Sequence, residues 1–476
     1  MKRQALFATL WSGTDILLRQ GVQFIATLVL ARLLVPADFG VIAMLAVFTG
    51  LASVLADAGL SVALIQRQDA DHDDESTVFW ITLLIGVAMA ACMALAAPLI
   101  ARFYQAPEAE PLTRYMALSI VVSAAGAIHF ALLSKRLEFH KQALAGGIAA
   151  VVSGAAAIVL ALRGFGVWAL ATQAVLMTVL TTTLLWLINP WRPATVLSRT
   201  SLRKLSGFGG FHLANSFLEV AYVRLYVVCV GRIFGAEQLG YYANADTARQ
   251  MPATLLGGLI SRVALPMFAR AGHDPAMLRR GLQLGVRMTM LLMAPVVAAM
   301  VVLAQPLIEV LFGRQWLPAA PLLQVMALAV LLFPIHALNL QALMAQGHAG
   351  LMFRLEVAKK TLGLGFLLIG LIYGMAGIVW SQVAHSCVAL VINTHYTRRF
   401  LRYGALAQFT DAAPPLLSAA LAACLAMAVD ARVPLSPAWR LGGLCAVGAV
   451  GYLLALVFLG RETWRDAVAL VQESLR

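Results

Sequence analysis

The chain has 476 residues, of which 61% are hydrophobic and 12% are charged, and its mean hydropathy is +0.84. A soluble protein of this size needs a much larger polar shell, so the composition predicts an all-α protein that crosses a membrane many times. The net charge of +13 comes from basic residues in short loops between apolar segments and not from a basic face, which argues against nucleic acid as a partner.

Fourteen segments are long and apolar enough to be membrane helices, since a helix needs about 20 mainly apolar residues to cross the hydrocarbon layer. In chain order the predicted spans are residues 8–31, 39–64, 77–101, 113–134, 143–162, 166–188, 208–231, 239–263, 288–308, 319–343, 354–372, 375–396, 413–430 and 439–460.

The longest polar interruption divides the chain after the sixth span and contains two prolines and four basic residues. We therefore expect four parts: an N-lobe at 1–188, a cytoplasmic linker at 189–206, a C-lobe at 207–396 and a C-terminal pair of spans with a tail at 397–476. Lys and Arg in alternate loops outnumber those in the other loops by nearly three to one. By the positive-inside rule, this bias places both termini in the cytoplasm.

An internal repeat relates two of the loops at an offset of 200 residues. Segment 31–40 aligns with segment 231–240, so that Arg32 matches Arg232 and Gly40 matches Gly240. Each copy joins the first two helices of a predicted six-helix unit. Because six is even, both units enter the membrane from the same side, which predicts parallel repeats about an axis along the membrane normal.

Several short motifs, in order along most of the chain, resemble those of the polysaccharide transporter family of oligosaccharide flippases, and of its colanic-acid-exporter branch in particular. The motifs are LARLLVPADFG at 30–40, DAGL at 57–60, IQR at 65–67, KRLEF at 135–139, GYY at 240–242, ALP at 264–266 and LFGRQW at 311–316.

This resemblance implies a member of the multidrug/oligosaccharidyl-lipid/polysaccharide superfamily, with two six-helix lobes around a V-shaped cavity and two further C-terminal helices. The implied cargo is an undecaprenyl-pyrophosphate-linked oligosaccharide, moved by alternating access from the cytoplasmic to the periplasmic leaflet of a bacterial inner membrane. Membrane lipids and a polysaccharide polymerase complex are the other partners we consider. The chain carries no nucleotide-binding or catalytic motif, and we expect a transporter without a cofactor.

Ionisable residues inside the predicted spans are the candidate site, because a charge at mid-bilayer costs at least about 2.5 kcal/mol and normally faces a protected or wet interior. They are Asp15, Arg19, Glu219, Arg224, Asp246 and Arg249. The three arginines offer guanidinium groups, which stay charged and bind phosphate in a bidentate manner, so we expect them to bind the pyrophosphate or acidic sugars. The alternative is structural pairing of Asp15 with Arg19 and of Asp246 with Arg249.

Glu219 differs from the other acidic candidates because no basic residue lies three or four positions away. We therefore consider it a candidate for ion coupling. Three histidines also lie inside spans, and we expect each to make hydrogen bonds between helices. They are His129, His336 and His385.

No metal site is expected. The five cysteines lie in apolar segments without metal-ligand spacing and are expected to be buried. The acidic run 69–75 does not fit a calcium loop, because Asp74 stands where a glycine is needed and Trp80 where a glutamate should close the site. A solvated turn at the start of the third span is expected instead.

Two rival functions have distinguishing features in the sequence. A cation-coupled multidrug exporter of the same superfamily would favour acidic and aromatic cavity residues and twelve spans. A membrane polysaccharide polymerase or ligase would carry a large periplasmic loop. The intramembrane arginines, the two extra helices and the short loops favour the flippase.

Overall fold

The structure, a computed structural model, describes residues 21–67, 69–271, 274–430 and 437–474. These residues are almost entirely α-helical, and no strand occurs among them. Ten of the described helices are long and apolar enough to cross a membrane. The all-α membrane class is therefore confirmed, whereas the number of fourteen spans stays a prediction.

The described residues up to Ala243 form one compact unit, and those from Asn244 onward form another. The helices that begin in the first unit are α1 (Gly21–Leu33), α2 (Pro36–Asp57), α3 (Leu60–Gln66), α4 (His72–Tyr104), α5 (Ala109–Lys135), α6 (Phe139–Leu162), α7 (Val167–Ile188) and α8 (Arg199–Ala271). The division into an N-lobe at 1–188 and a C-lobe at 207–396, predicted from the polar interruption after the sixth span, stays a prediction.

The second unit continues from α8 through the remaining helices, with a short 3₁₀ turn at Arg314–Trp316 between α10 and α11. They are α9 (Pro275–Val302), α10 (Ala304–Leu311), α11 (Ala319–Leu331), α12 (Phe333–Ala345), α13 (Ala349–Ile372), α14 (Gly374–Leu401), α15 (Ala405–Asp430), α16 (Pro437–Leu459) and α17 (Arg461–Ser474).

Aspartate residues cap the N-termini of two of the described helices. The acidic run 69–75 contains the N-cap of α4, where the Asp71 carboxylate accepts a hydrogen bond of 2.7 Å from the backbone N–H of Asp74. Asp274 caps α9 in the same way. Carboxylates at these positions satisfy N–H groups that have no partner inside the helix and interact favourably with its dipole.

The segment that follows α7 is held against α4 by hydrogen bonds. The backbone N–H of Ala194 donates to Ser76 Oγ at 3.0 Å, and Trp80 Nε1 donates to the Ala194 carbonyl at 2.8 Å. The N–H of Ser198 donates to Thr77 Oγ1 at 3.0 Å. The first part of the predicted linker is therefore a fixed part of the first unit.

The cysteine expectation was wrong. Cys92, Cys387, Cys424 and Cys445 are exposed on the protein surface, and only Cys229 is half-buried. The error has a physical reason: in a membrane protein an apolar segment presents one face to lipid, so apolar sequence context does not imply burial within the protein.

Candidate functional site

The candidate residues that the structure describes all lie on α8, which is divided at Gly235. Gly235 has φ +82° and ψ 179°, a conformation that other residues adopt only with strain. The first arm, 199–234, carries Glu219 and Arg224, and the second arm, 236–271, carries Asp246 and Arg249. Asp15 and Arg19 lie outside the described residues.

α8, on both sides of Gly235, packs along α2 and the turn after it with its backbone very close. A Cβ atom on Gly40 would overlap the carbonyl of Ala236, and a Cβ atom on Gly59 would overlap the carbonyl of Gly209. Small residues allow membrane helices to approach in this way. We call this contact, from Gly40 and Ala236 at one end to Gly59 and Gly209 at the other, the glycine seam.

At the end of the seam near Gly235, equivalent residues of the two repeat copies make the same contact in both directions; we call this the reciprocal end of the seam. Gly40 meets Ala236, and Gly240 meets the carbonyl of Pro36. Ala236 and Gly240 are the residues that correspond to Pro36 and Gly40 at the offset of 200. The two copies of the repeated loop therefore contact each other as the halves of a local twofold arrangement do.

Arg224 lies midway along the seam. Its guanidinium Nη2 and Nε atoms are 3.8 and 3.9 Å from the position that a Cβ atom on Gly50 would occupy. The side chain is half-buried. Because Gly50 has no side chain, the guanidinium can lie against α2 inside a predicted membrane span. Glu219, on the same arm, is exposed on the protein surface.

Asp246 and Arg249 form a compact ion pair in the second unit. Arg249 Nε and Nη2 lie 2.7 and 2.6 Å from Asp246 Oδ1, and Gln250 donates to Oδ2. The side chains of Arg249 and Asp246 are 18% and 23% exposed. The local pairing expected for these two residues is confirmed. A carboxylate in this position fixes the guanidinium while part of it still faces out of the protein.

Two of the three histidine expectations are confirmed. His336 contacts Ser386 Oγ at 3.2 Å and Asn393 Nδ2 at 3.3 Å, and His385 contacts the Lys359 carbonyl at 2.9 Å. The expectation for His129 was wrong: within the described residues neither ring nitrogen has a hydrogen-bond partner.

His129 packs instead in an aromatic cluster. Its ring centroid lies 4.5 Å from that of Trp186 and 5.5 Å from that of Trp191, and Phe79 contacts both tryptophans. Such ring contacts are favourable when an edge meets a face. The cluster holds the segment after α7 in place, which the isolated histidine in the sequence did not indicate.

A buried polar network in the second unit was missed by the sequence analysis. Asn339, Thr397 and Gln408, each at most 1% exposed, come from α12, α14 and α15. Asn339 donates to Gln408 at 2.8 Å, and its Oδ1 accepts from Thr397 at 2.7 Å and from Gln408 at 2.9 Å. Single amides and hydroxyls in apolar spans carry no signal of their own, so no pattern in the sequence could have assembled them.

Arg287 is the centre of a second missed cluster. Its Nε and Nη2 lie 2.8 and 2.7 Å from Asp411 Oδ1, and its Nη1 lies 3.2 Å from Asp466 Oδ2. The Tyr403 hydroxyl donates to Asp411 at 2.8 Å. Burial of Tyr403, together with its bond to the Asp411 carboxylate, raises the pKa of the phenol. We call these residues the Arg287 cluster; Arg287 lies just before the predicted span 288–308, and the sequence analysis did not single it out.

The first unit also contains a polar cavity of about 430 Å³ beside the reciprocal end of the seam. Asp38 and Glu108 contribute carboxylates to its wall, and Arg232 contributes a guanidinium. The guanidinium carbon of Arg232 lies 5.7 Å from the ring centroid of Phe103, which fits a cation–π contact.

Residues 29–321 match the family described as "Polysaccharide biosynthesis protein", and this match covers more than half of the chain. The chain belongs to this family. The resemblance to polysaccharide transporters indicated by the motifs between residues 30 and 316 is thereby confirmed.

Similar curated proteins span nearly the whole length. The succinoglycan biosynthesis transport protein ExoT of Rhizobium meliloti is 26% identical over 94% of this chain and 91% of its own length. The teichuronic acid biosynthesis protein TuaB of Bacillus subtilis is 26% identical over 86% of each chain. The lipopolysaccharide biosynthesis protein WzxC of Escherichia coli is 26% identical over 83% of this chain and 80% of its own.

Solved structures define the fold. The lipid II flippase MurJ in an inward closed conformation has a TM-score of 0.76 and 14% identity, covering 97% of this chain and all of that chain. An inward-facing multidrug MATE transporter of the MOP superfamily has a TM-score of 0.58 and 16% identity, over 82% and 99%. At these identities the likeness shows the fold alone, which this chain shares with both transporters.

Proposed function

We propose that this family member moves undecaprenyl-pyrophosphate-linked oligosaccharide repeat units from the cytoplasmic to the periplasmic leaflet of a bacterial inner membrane by alternating access. The observation that carries the proposal is its similarity, over nearly the full length of both chains, to a succinoglycan biosynthesis transport protein. The fold shared with a lipid II flippase supports the same class of cargo, a sugar on a pyrophosphate lipid.

Arg224 and Arg249, together with Arg19, are the proposed ligands of the pyrophosphate or of acidic sugars. A pyrophosphate inside a membrane needs donors that stay charged, and a guanidinium supplies several N–H groups in a fixed plane. Support comes from the positions of the two described arginines. Arg224 lies against the bare backbone of α2 at Gly50, and Arg249 is aligned by Asp246.

Asp15 and Asp246 are proposed to orient the cargo-binding arginines, and Glu219 to couple transport to a cation gradient. Glu219 is a carboxylate on the same predicted span as Arg224, and it is exposed on the protein surface. A carboxylate that gains or loses a proton or another cation would favour different arrangements of the lobes, because a ligand shifts a conformational equilibrium by its difference in affinity for the states.

The glycine seam is the contact that we propose to open and close during the cycle. It joins α2 and the turn after it to α8 mainly through backbone contacts at glycines. Contacts of this kind leave no buried charge behind when they separate.

Both termini are proposed to be cytoplasmic. The protein is proposed to act as a transporter without catalysis. The proposed recipient of the cargo is a polysaccharide polymerase complex.

Flipping of a fluorescent pyrophosphate-linked oligosaccharide in proteoliposomes tests the proposal. Wild type should flip it, and Arg224→Ala and Arg249→Ala should each reduce the rate at least tenfold, which corresponds to about 1.4 kcal/mol of lost interaction. Arg249→Lys should recover part of the rate. The matched control is Arg114→Ala, which also removes an arginine from an ion pair within one helix, at a side chain that is 57% exposed.

Equal rates in wild type, Arg224→Ala and Arg249→Ala would show that neither arginine binds the cargo. Wild-type flipping that is unchanged by imposed proton and sodium gradients, together with an unchanged rate in Glu219→Gln, would remove the coupling role of Glu219 and leave the cargo assignment standing.

A further inference from the structure

The C-terminal helix α17 starts immediately after the last predicted span. α16 ends at Leu459, and α17 begins at Arg461. The N–H of Gly460 donates to the Leu456 carbonyl at 2.7 Å and that of Trp464 to the Gly460 carbonyl at 2.8 Å, so the backbone turns without losing its hydrogen bonds. Phe458 at the end of α16 is 70% exposed. An exposed phenylalanine at this point marks the end of a lipid-facing surface, and α17 therefore begins at the membrane boundary.

The inner side of α17 is fixed to the rest of the second unit. Thr463 is 1% exposed. Asp466 and Glu462, one turn apart, both face Arg287, with separations of 3.2 Å from Nη1 and 3.3 Å from Nη2. Arg287 in turn pairs with Asp411 of α15. These contacts set the rotation of α17 about its own axis and pair its first two carboxylates with Arg287, although the Glu462 side chain itself is 82% exposed.

The outer side of α17 combines an apolar stripe and a basic stripe. Trp464 and Val468, four residues apart, are each 38% exposed. Arg461 and Arg465, also four residues apart, are both exposed. Residues at this spacing lie on one face of a helix, and the two stripes are adjacent because Arg461 and Trp464 are three residues apart. Since the charges of Glu462 and Asp466 are offset by Arg287, the two exposed arginines give this side of α17 a cationic stripe.

We propose that α17 lies in the headgroup layer and binds anionic phospholipid, with Trp464 and Val468 in the upper acyl region and Arg461 and Arg465 on lipid phosphates. An amphipathic helix with tryptophan on one side and arginine beside it is typical of this location. The position of α17 at the end of a span makes lipid the occupant of the face, and the arginines favour anionic over zwitterionic headgroups. This site is independent of the cargo proposed above.

The first test is thermal unfolding of the full-length protein in uncharged detergent with added phosphatidylglycerol or phosphatidylcholine. We expect phosphatidylglycerol to raise the Tm more, and we expect this difference to shrink at high salt because ions screen exposed charges. In Arg461→Gln/Arg465→Gln, half-saturation should need roughly tenfold more phosphatidylglycerol. Arg461→Lys/Arg465→Lys should behave much like wild type.

The matched control is Lys135→Gln/Arg136→Gln, which removes two charges from the end of α5 in the first unit and should keep the difference between the two lipids. The proposal is wrong if the Arg461→Gln/Arg465→Gln variant responds to phosphatidylglycerol as wild type does. It is also wrong if both lipids raise the Tm of the wild-type protein equally.

A second measurement tests the depth of the helix. In nanodiscs of phosphatidylglycerol brominated on the acyl chains near the headgroup, wild type should lose more tryptophan fluorescence than Trp464→Phe, because the bromines quench Trp464. Equal fractional quenching in the two proteins would place Trp464 outside the bilayer. The proposal would then be wrong, and a soluble partner would be the remaining candidate to cover the outer side of α17.

Discussion

The glycine seam of the first unit and the Arg287 cluster of the second hold helices together by different means. In the seam, α8 meets α2 and the turn after it through backbone atoms at Gly40 and Gly59. In the cluster, α9, α15 and α17 meet through charged groups around one guanidinium, and the side chain of Asp411 is only 10% exposed. Close apolar contacts can separate and re-form without stranding a polar group, whereas opening the cluster would leave a carboxylate without its counterion. We therefore expect the glycine seam to open and close during transport and the Arg287 cluster to stay closed.

The largest effect is expected from Arg287→Ala. Removing one partner of a buried ion pair leaves the other uncompensated, and we expect a loss of about 2–4 kcal/mol in the free energy of unfolding, reduced by the partial exposure of Arg287. Unfolding of the purified protein by a denaturing detergent measures this loss. Arg114→Ala, at a largely exposed pair, should cost less than about 1 kcal/mol. Similar costs for both variants would show that the cluster is not a structural clamp.

Gly40→Ala should have the next largest effect. The added methyl group would overlap the Ala236 carbonyl, so the backbone must move, at a cost of about 1–3 kcal/mol. We expect slower flipping as well, because the seam no longer closes. The control is Gly147→Ala in α6, where no atom of the described residues lies within 4 Å of the new methyl group. This control should be neutral or up to about 1 kcal/mol more stable through helix propensity. A harmless Gly40→Ala would contradict the close approach.

Asn339→Ala tests whether neutral polar groups add to the rigidity of the second unit. It removes the donor to the buried Gln408 Oε1 atom and the acceptor that Thr397 and Gln408 share, and we expect a loss of about 1–2 kcal/mol in stability. A double-mutant cycle with Gln408→Ala separates the pairwise interaction from other effects. If the effects of the two single variants simply add, the observed hydrogen bonds do not couple Asn339 to Gln408.

Asp246→Asn should have the smallest effect on stability, under about 1 kcal/mol, because its pair with Arg249 is local and partly exposed. Its effect on flipping should be larger than this cost implies, since the amide orients the guanidinium less firmly than the carboxylate does. A variant that loses stability and flipping to the same extent would place this pair with the structural Arg287 cluster instead.

Hydropathy and local spacing determined much of this protein before any tertiary structure. The described residues of the predicted spans are helical, because a chain in lipid must satisfy its backbone hydrogen bonds internally, although the spans 39–64, 288–308 and 319–343 are each divided between two helices. The pair of Asp246 with Arg249 was predictable because a helix places residues three apart on one face. The acidic run 69–75, expected as a solvated turn, instead contains the N-cap and first turn of α4, and its Asp74 is only 3% exposed.

Only the tertiary structure decided the contacts between distant segments. Arg287 meets Asp411 and Asp466 across 124 and 179 residues, and no periodicity links them. The repeat identified Gly40 and Gly240 as equivalent, but not that each would touch the other copy of the loop. The surroundings of His129 were also not predictable from the sequence. Its ring packs against Trp186 of α7 and against Trp191 of the segment that follows α7. Local rules act over one or two helical turns, whereas these contacts depend on how whole helices pack.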